Sequence, residues 1–343
     1  MSEAVSLLAD LVKLPSINPM GRAVSGSPYF ENRVTAYLEN FFRQLGVWYL
    51  RSTVAPQRDN IVAKFETPGA KSTILWEVHQ DTVPVEGMII EPFAAEIRDG
   101  KLYGRGSCDV KGGMSAMLSA FARLVRERPK GAANVILACT VDEEHTFLGV
   151  QKLMQDGYRA DFAIVAEPTL LQIVDAHKGV ARWKMHAAGR ACHSSRPDQG
   201  SNAIYHMGHL LTEIEKYALA LQNRPAYPRL GPPTLSVGRI EGGVSVNTVP
   251  DACTIEIDRR LLPGESPDEA LKDFIRTLSE QTRVPFRCDP LWLSCPALSS
   301  SNAEEARRAL ASGYPIAVCS NQGFSADRDA DGERGGADAL HRV

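Results

Sequence analysis

The sequence lacks the features that would place it in several large classes of protein. Its net charge is −3 over 343 residues, with acids and bases interspersed, so it offers no basic stripe for nucleic acid or an anionic membrane surface. It has no apolar run of about 18 residues, the length that a membrane-spanning helix needs. The first residues, MSEAVSLLADLVKL, carry acids in an amphipathic pattern and predict a helix, not a signal peptide. We therefore expect neither a nucleic-acid nor a membrane partner.

Cysteine pairs with the spacing of metal or redox sites are also missing. The seven cysteines are odd in number and scattered along the chain, and no two of them form a CxxC. This favours reduced thiols in a cytoplasmic protein over a disulfide framework. At 343 residues the chain exceeds what a single core usually supports, so two domains are expected.

The chain does contain three short apolar runs, each followed at once by candidate metal ligands. Such runs predict buried strands of an α/β fold, a mostly parallel sheet with helices on both faces. Ligands of such sheets bind outside the carboxyl ends of the strands. The three runs and the side chains after them are ILWEVHQD with His79 and Asp81, VILACTV before Glu143 and Glu144, and FAIVA before Glu167.

Each of these side chains alone has an ordinary explanation. A single histidine at a strand end is more often a satisfied polar residue, and Asp109, between a Gly-rich loop and a predicted helix, has the position of a helix N-cap. Together they form a mixed nitrogen and oxygen set, which suits zinc or a similar divalent ion. Asp81, two residues after His79, would orient the imidazole, and a carboxylate bridging two ions would make a two-metal hydrolytic site.

Two other kinds of site are disfavoured by the same pattern. The Gly104-x-Gly106 loop has Asp109 where a dinucleotide-binding loop has its third glycine. In CHSS, Cys192 and His193 are adjacent and rarely face each other, so a nucleophile pair is not expected there. His193 remains of interest as a polar donor, with an exposed loop histidine as the equal alternative.

The pattern changes at about His177 to the order βαββαβ, which is that of a ferredoxin-like module. Its second helix is expected to start at the capping box Ser266 to Glu269. After the module we expect a helix at 302–311 and an apolar run at 314–324. The predicted domains are a discontinuous metal-binding catalytic domain (1–177 and 290–324), a lid or dimerisation domain (178–289) and a disordered polar tail (325–343).

Several motifs in order resemble those of the M20 metallopeptidase family, the group of aminoacylases, acetylornithine deacetylases, succinyl-diaminopimelate desuccinylases and carboxypeptidase G2. The resemblance covers about residues 5 to 324. The motifs are LVKLPSINP, VHQDTVP, YGRGSCDVKGG, TVDEEHTFLG, AEPT, CHSSRPDQGSNAI, PTLSVGRIEGG and SVNTVPDACTIEIDRRLLPGE. The last three are most similar to those of acetylornithine deacetylases and aminoacylases, and the resemblance implies a zinc-peptidase-like fold with a ferredoxin-like lid.

The resemblance also implies roles for the candidate site residues. His79, Asp109, Glu144 and Glu167 would bind two divalent metal ions, zinc with cobalt as the alternative, and Asp109 would bridge them. Asp81 would orient the histidine, and Glu143 would be the general acid and base.

The lid domain would contribute further residues and a dimer contact. By the resemblance, Asn247 and Arg260 hold the substrate, Arg260 through its carboxylate, because a guanidinium fork suits two oxygens. His193 would polarise the scissile carbonyl in the partner subunit's site of a homodimer.

The implied activity is hydrolysis of the amide bond of an N-acyl amino acid. The alternatives are an exopeptidase for small peptides and a non-catalytic metal-binding or dimerising remnant. Family members continue to a GPG loop and a late histidine that completes the second metal site. Residues 325–343 do not match this segment, and His341 has no GPG before it and no acid after it. The sequence therefore predicts a truncated or frameshifted carboxyl end without that ligand.

Overall fold

The computed structural model describes residues 2–299 and 318–319. The chain divides into two compact units, and the boundary in the sequence lies between Leu171 and Gln172. The helix expected at 302–311, the polar tail and all of the apolar run except 318–319 lie outside the described residues. The predicted domain limits stay a prediction. No helix of the described part is long and apolar enough to cross a membrane.

The first unit contains four helices and seven strands among its described residues. They are α1 (Glu3–Val12), α2 (Asn32–Leu45), β1 (Trp48–Ala55), β2 (Arg58–Phe65), β3 (Thr73–His79), β4 (Glu96–Arg98), β5 (Lys101–Tyr103), α3 (Lys111–Glu127), β6 (Asn134–Thr140), α4 (Leu148–Gln155) and β7 (Phe162–Val165).

Five of these strands form one mixed sheet in the order β1-β2-β6-β3-β7. The three strands from the apolar runs, β6, β3 and β7, pair in parallel as expected, while β1 and β2 join antiparallel. Alternate residues of β2 face opposite ways: Ile61 and Ala63 pack in the core that contains α1, α2 and α3, whereas Val62 packs with Leu153 of α4. Helices therefore cover both faces, and the α/β prediction is confirmed.

Local sequence explains where the helices of this unit begin and end. Ser2 caps α1, because its hydroxyl accepts a hydrogen bond from the N–H of Val5. Gly46 ends α2 with φ 71°, a left-handed conformation that glycine adopts without steric cost. In α3, Met114, Leu118 and Phe121 are fully buried at helical spacing.

The second unit contains the described strands and helices from Gln172 onward. They are β8 (Ile173–Val174), β9 (Gly179–Ala188), β10 (Cys192–His193), a 3-10 turn (Pro197–Gln199), α5 (Ala203–Gln222), β11 (Thr234–Gly242), β12 (Thr248–Val249), β13 (Ala252–Leu261), α6 (Pro267–Gln281), β14 (Phe286–Cys288), β15 (Leu293–Cys295) and β16 (Val318–Cys319).

Its main sheet is antiparallel in the order β11-β13-β9-β14, and β15 also pairs with β9. This is the strand order of a ferredoxin-like βαββαβ module, so that prediction is confirmed. Trp183 of β9 and Phe274 of α6 meet edge to face, 5.1 Å between ring centroids, in the core between sheet and helices. The predicted cap is present, since Ser266 Oγ accepts from the N–H of Glu269.

Candidate metal centre

Parallel pairing brings the ends of β6, β3 and β7 to one edge of the first sheet. His79, the last residue of β3, lies opposite Thr140, the last residue of β6, and Glu77 lies opposite Val165 at the end of β7. The side chains that follow these ends in sequence are therefore neighbours in space. This is the arrangement that the three apolar runs predicted.

The loop before α3 brings Asp109 to the same edge. Val110, not Asp109, occupies the N-cap position of α3, and the peptide bond between the two residues is cis. Close packing of α3 on the end of β7 depends on Gly113, because a Cβ there would lie 2.9 Å from the Cβ of Ala166. Asp109 is thereby held near Glu167, and the N-cap explanation for Asp109 does not apply.

His79 is buried and makes contacts through both ring nitrogens. Its Nε2 lies 3.2 Å from Asp109 Oδ1 and 3.9 Å from Glu143 Oε2. Its Nδ1 lies 2.9 Å from the backbone oxygen of Asp81 and 3.6 Å from the Asp81 carboxylate. The contact that orients the ring is therefore made mainly by the Asp81 backbone.

The Asp81 carboxylate instead holds the turn after β6. Its Oδ1 accepts from the N–H of Glu143 and its Oδ2 from the N–H of Glu144, both at 3.1 Å. Burial would raise the pKa of Asp81, but His79, Asn18 and the Glu144 amide lower it to about 2. An ionised Asp81 thus connects the histidine of one strand end with the two glutamates of another.

Among the described residues, two sets of three side chains could each hold a metal ion, with ligand atoms within 4.8 Å of one another. One set is His79, Asp109 and Glu167, and the other is His79, Glu143 and Glu144. The structure therefore brings together all the metal ligands that the resemblance implied, and places Glu143 among them.

The charges of this cluster favour a cation. Removal from water and neighbouring negative groups raise the pKa of Glu143 to about 7 and that of Glu144 to about 8. Loss of hydration likewise raises the pKa of Glu167 to about 8, against the attraction of His79. Burial would lower the pKa of His79, but hydrogen bonds with Asp109 and Asp81 raise it well above its ordinary value. A bound cation would offset the repulsion between these carboxylates.

One buried oxygen of the cluster supports the fit of a metal. Glu144 Oε1 is inaccessible to solvent and has no hydrogen-bond partner within the described part of the chain. A buried acceptor without a partner is costly, and a divalent ion would satisfy it. One imidazole and several carboxylates are also a ligand set that zinc and similar ions accept.

Behind the cluster lies a buried ion network that the sequence interpretation did not identify. Arg58 donates to both Glu31 oxygens through Nε and Nη2 and to Asp142 Oδ1 through Nη1 at 2.7 Å. Asn18 joins Asp142 to Asp81. The only local signal was polar Asn18 within the LPSINP motif and charged Arg58 at the start of an apolar strand.

In the second unit, His193 and Asn247 lie on neighbouring chain segments. His193 of β10 pairs with Thr248 of β12, and the N–H of Ser194 donates to the Asn247 backbone oxygen at 2.9 Å. The His193 ring is exposed, and its Nδ1 lies 2.8 Å from Ser195 Oγ. The chain segments that carry these two residues, chosen from separate motifs, are thus adjacent on this unit.

In the same unit, the two consecutive arginines at the end of β13 differ in their exposure to solvent. Arg259 is 1% exposed and donates to Glu265, whereas the Arg260 side chain is 46% exposed and donates through Nε to Asp258 at 2.7 Å. Successive side chains of a strand point to opposite faces. Of the two, Arg260 is the guanidinium that a ligand in solution can reach.

Comparison with sequence families and curated relatives gives consistent matches. The profile described as a peptidase dimerisation domain, M20_dimer, matches residues 175–284. An acetylornithine deacetylase from Myxococcus xanthus is 34% identical over 229 residues, which are 66% of this chain and 59% of the relative. That of Yersinia pseudotuberculosis is 32% identical over 274 residues, 76% of this chain and 68% of the relative. The match thus spans less than two thirds of the Myxococcus protein.

Solved structures with the same fold include peptidases. An M20 family metallo-carboxypeptidase from Sulfolobus solfataricus superposes with a TM-score of 0.67 at 21% identity, covering 86% of this chain and 79% of that one. A dinuclear metal-binding peptidase from Bacillus subtilis has a TM-score of 0.59 at 15% identity and covers 92% of this chain and 81% of that one. At these identities the likeness establishes the fold.

Proposed function

This chain belongs to the M20 metallopeptidase family, and we propose that it is a metal-dependent hydrolase that removes the acyl group from an N-acyl amino acid. The observation that carries this proposal is the meeting of His79, Asp109 and Glu167 within 4.8 Å of one another, with Glu143 beside them. The acetylornithine deacetylases among its relatives support an N-acetylated amino acid as the substrate.

The metal ligands of this proposal are His79, Asp109, Glu144 and Glu167. Two divalent ions, with zinc as the proposed metal, would be held by these four side chains. The bound ions would supply Lewis-acid polarisation of the amide carbonyl and activation of water. Asp81 keeps the His79 ligand in place, because its backbone oxygen contacts the imidazole ring.

Glu143 is the proposed general base and acid. Its carboxylate lies 3.9 Å from His79 Nε2 and is partly accessible, so it can reach a water molecule at the cluster. From this position Glu143 can accept a proton from water and return it to the leaving amine. The proton thus passes from the attacking water to the Glu143 carboxylate and from there to the amine nitrogen.

The residues of the second unit are proposed to select the substrate. Arg260 binds its α-carboxylate through the guanidinium fork, and Asn247 binds a polar group near the scissile bond. His193 donates to the carbonyl oxygen of a substrate held by the partner subunit. Exposure of Arg260 and the proximity of His193 to the Asn247 segment support these roles.

A homodimer through the second unit is part of this proposal, supported by the dimerisation-domain match. The edge strand β11 and the loop after it expose large apolar side chains, Ile240, Val244 and Val246, the last two 90% and 102% exposed. Exposed apolar groups at a sheet edge are typical of an interface. Light scattering with size-exclusion chromatography tests it: the wild type should have twice the mass of one chain, and Ile240→Asp should shift the mass toward the monomer.

The activity test uses the full chain loaded with zinc and a panel of N-acetyl-ornithine and N-acetyl-methionine. We expect hydrolysis that Glu143→Ala abolishes. Turnover of dipeptides or tripeptides without turnover of the acylated amino acids would favour the exopeptidase alternative. One metal per chain and no turnover over the whole panel would overturn the proposal in favour of a non-catalytic remnant.

A further inference from the structure

A buried amide joins two aspartates at the edge of the candidate metal centre. Asn18 Nδ2 donates to Asp81 Oδ2 at 2.7 Å and to Asp142 Oδ1 at 3.0 Å. None of the three residues is more than 1% exposed. The other end of the amide is also used, since Asn18 Oδ1 accepts from the N–H of Met20 at 2.9 Å. The amide orientation is thus set by its partners on both sides.

An uncharged side chain with two N–H donors is what this position requires. The carboxylate oxygens of two buried aspartates lie out of contact with water, so each needs hydrogen-bond donors from the protein. Both hydrogens of Nδ2 are directed to different aspartates, which a hydroxyl, with one hydrogen, could not do. The backbone holds the amide in place, because the N–H of Asn18 donates to the Thr82 oxygen at 2.8 Å.

Asp142 is held from its other side as well. Arg58 Nη1 donates to Asp142 Oδ1 at 2.7 Å, and Thr146 Oγ1 donates to Asp142 Oδ2. The backbone of Asp142 has φ 66°, a left-handed conformation that aspartate tolerates better than most residues but rarely adopts. Such a conformation persists where surrounding contacts impose it. Those contacts come from the side chains of Asn18, Arg58 and Thr146.

The turn set in this way carries the two glutamates of the site. Glu143 and Glu144 follow Asp142 directly, and their N–H groups donate to the same Asp81 carboxylate that Asn18 binds. Asn18 therefore contacts both supports of the turn, one on each side, without lying in either metal-binding set. Moving the amide would release Asp81 and Asp142 together.

We propose that Asn18 is a positioning residue that sets the Glu143–Glu144 turn against His79 by holding Asp81 and Asp142 at a fixed separation. It touches neither metal nor substrate and acts through the two aspartates. The inference rests on the proposed function only in that the carboxylates of this turn bind metal and move protons.

A purely structural role makes a different prediction. If Asn18 only stabilised the fold, its loss would lower the melting temperature and leave the metal site of the folded fraction unchanged. A positioning role changes the geometry and affinity of the bound metal at temperatures where the protein is fully folded. The visible spectrum of bound Co²⁺ reports that geometry directly and does not require turnover.

The test is a Co²⁺ titration of the metal-free full chain with Asn18→Ala and the matched control Ser16→Ala. Ser16 lies two residues earlier and is equally buried, and its hydroxyl has no hydrogen-bond partner in the described part of the chain. We expect Asn18→Ala to weaken Co²⁺ binding roughly 10-fold, the lower end of the effect of losing a direct partner of a metal ligand, because Asn18 acts through the two aspartates, and to shift the absorption bands. Ser16→Ala should match the wild type. A wild-type spectrum and affinity in Asn18→Ala would overturn the inference.

Two further measurements decide the remaining cases. If Asn18→Ala does not fold, Asn18→Ser leaves one hydroxyl donor that can bind at most one of the two aspartates, and an unchanged Co²⁺ spectrum in that variant would overturn the inference. If the wild type binds no Co²⁺, the proposed function fails. Hydrogen exchange of the Glu143 and Glu144 amides then decides the inference: faster exchange in Asn18→Ala than in Ser16→Ala supports it, and equal protection refutes it.

Discussion

The Asp81 carboxylate accepts a hydrogen bond from the backbone N–H of Glu144 at 3.1 Å, although the two residues are 63 positions apart in the chain. The same carboxylate binds the neighbouring amide of Glu143, and the Asp81 backbone contacts the His79 ring. One buried residue thus sets the relative positions of groups from two strand ends. The Asp81 carboxylate lies 3.6 Å from the ring, so Asp81 contacts the histidine mainly through its backbone and the glutamates through its carboxylate.

Asp81→Asn tests this relationship with an isosteric change. The side-chain NH₂ group of the new asparagine is a donor, but the backbone N–H groups of Glu143 and Glu144 need acceptors. The turn that carries the two glutamates would therefore shift. We expect zinc affinity, measured by calorimetry, to fall roughly 10- to 100-fold. Asp99→Asn, in an exposed turn at φ 51°, is the matched control and should bind zinc as the wild type does. Equal affinity in both variants would contradict the assigned role.

Glu143→Gln separates proton transfer from metal binding. The variant keeps the size of the side chain but cannot take a proton from water, so kcat should fall roughly 10²- to 10⁴-fold. The metal content per chain, measured by atomic emission, should stay close to that of the wild type, because His79, Asp109 and Glu167 are unchanged. Retained turnover would remove Glu143 from the mechanism, and loss of metal would make it a ligand.

Metal addition should stabilise the first unit through His79. A ligand that binds only the folded state raises its stability, by about 2.7 kcal/mol at a concentration 100 times the Kd. Zinc added to the chelator-treated protein should therefore raise the melting temperature of the wild type. The shift should disappear in His79→Ala and persist in His209→Ala, since His209 is exposed on α5. A similar shift in both variants would place the bound metal elsewhere.

Two glycines give opposite predictions for the same substitution. A Cβ at Gly149 would lie 2.3 Å from the Val141 backbone oxygen, which cannot move without disturbing β6 and the turn after it. We expect Gly149→Ala to destabilise the protein, by about 1–3 kcal/mol, the usual range for forced overpacking. Gly208 lies inside α5 with nothing within 4 Å of its would-be Cβ, so Gly208→Ala should stabilise by about 0.5–1 kcal/mol. Urea unfolding measures both, and equal signs would contradict the packing argument.

Tyr217 predicts a pH dependence of stability in the second unit. Burial and its hydrogen bond to Asp273, 2.9 Å from Oη to Oδ2, raise the pKa of Tyr217 to about 12. The ordinary value in an unfolded chain is about 10. Tyr217 therefore keeps its hydroxyl proton up to a higher pH in the folded state than in the unfolded chain. Its contribution to the free energy of unfolding is fully present below pH about 10 and is lost as the pH rises to about 12.

Tyr217→Phe removes this titration. Its free energy of unfolding should fall less steeply between pH 10 and 12 than that of the wild type, measured by urea unfolding at several pH values. Tyr205→Phe, which alters an exposed tyrosine, should keep the wild-type slope. The same slope in the wild type and Tyr217→Phe would show that Tyr217 titrates normally.

Local sequence patterns were sufficient for the regular elements with strong periodicity. The apolar runs that became β3, β6 and β7, and the capping box at Ser266, each determine structure over a few residues. The short helix α4 was not predicted, because it starts after Phe147 at φ 60° without a side-chain cap and has only eight residues. For the hairpin of β4 and β5 the sequence offers little signal beyond the turn residues Asp99 and Gly100, since three-residue strands show no clear alternation.

The sequence by itself determined which residue types stand at or after the strand ends, namely His79, Glu143, Glu144 and Glu167, and its resemblance to the M20 family implied which of them, with Asp109, would bind metal. Periodicity and parallel pairing predict that the strand-end residues lie together, because the carboxyl ends of neighbouring parallel strands meet at one edge of the sheet. Only the tertiary structure decided what holds them: Asn18, Arg58 and Glu31 are distant in sequence and approach Asp81 and Asp142 through folding alone. Buried polar groups must find partners wherever the fold supplies them, and no local pattern records that choice.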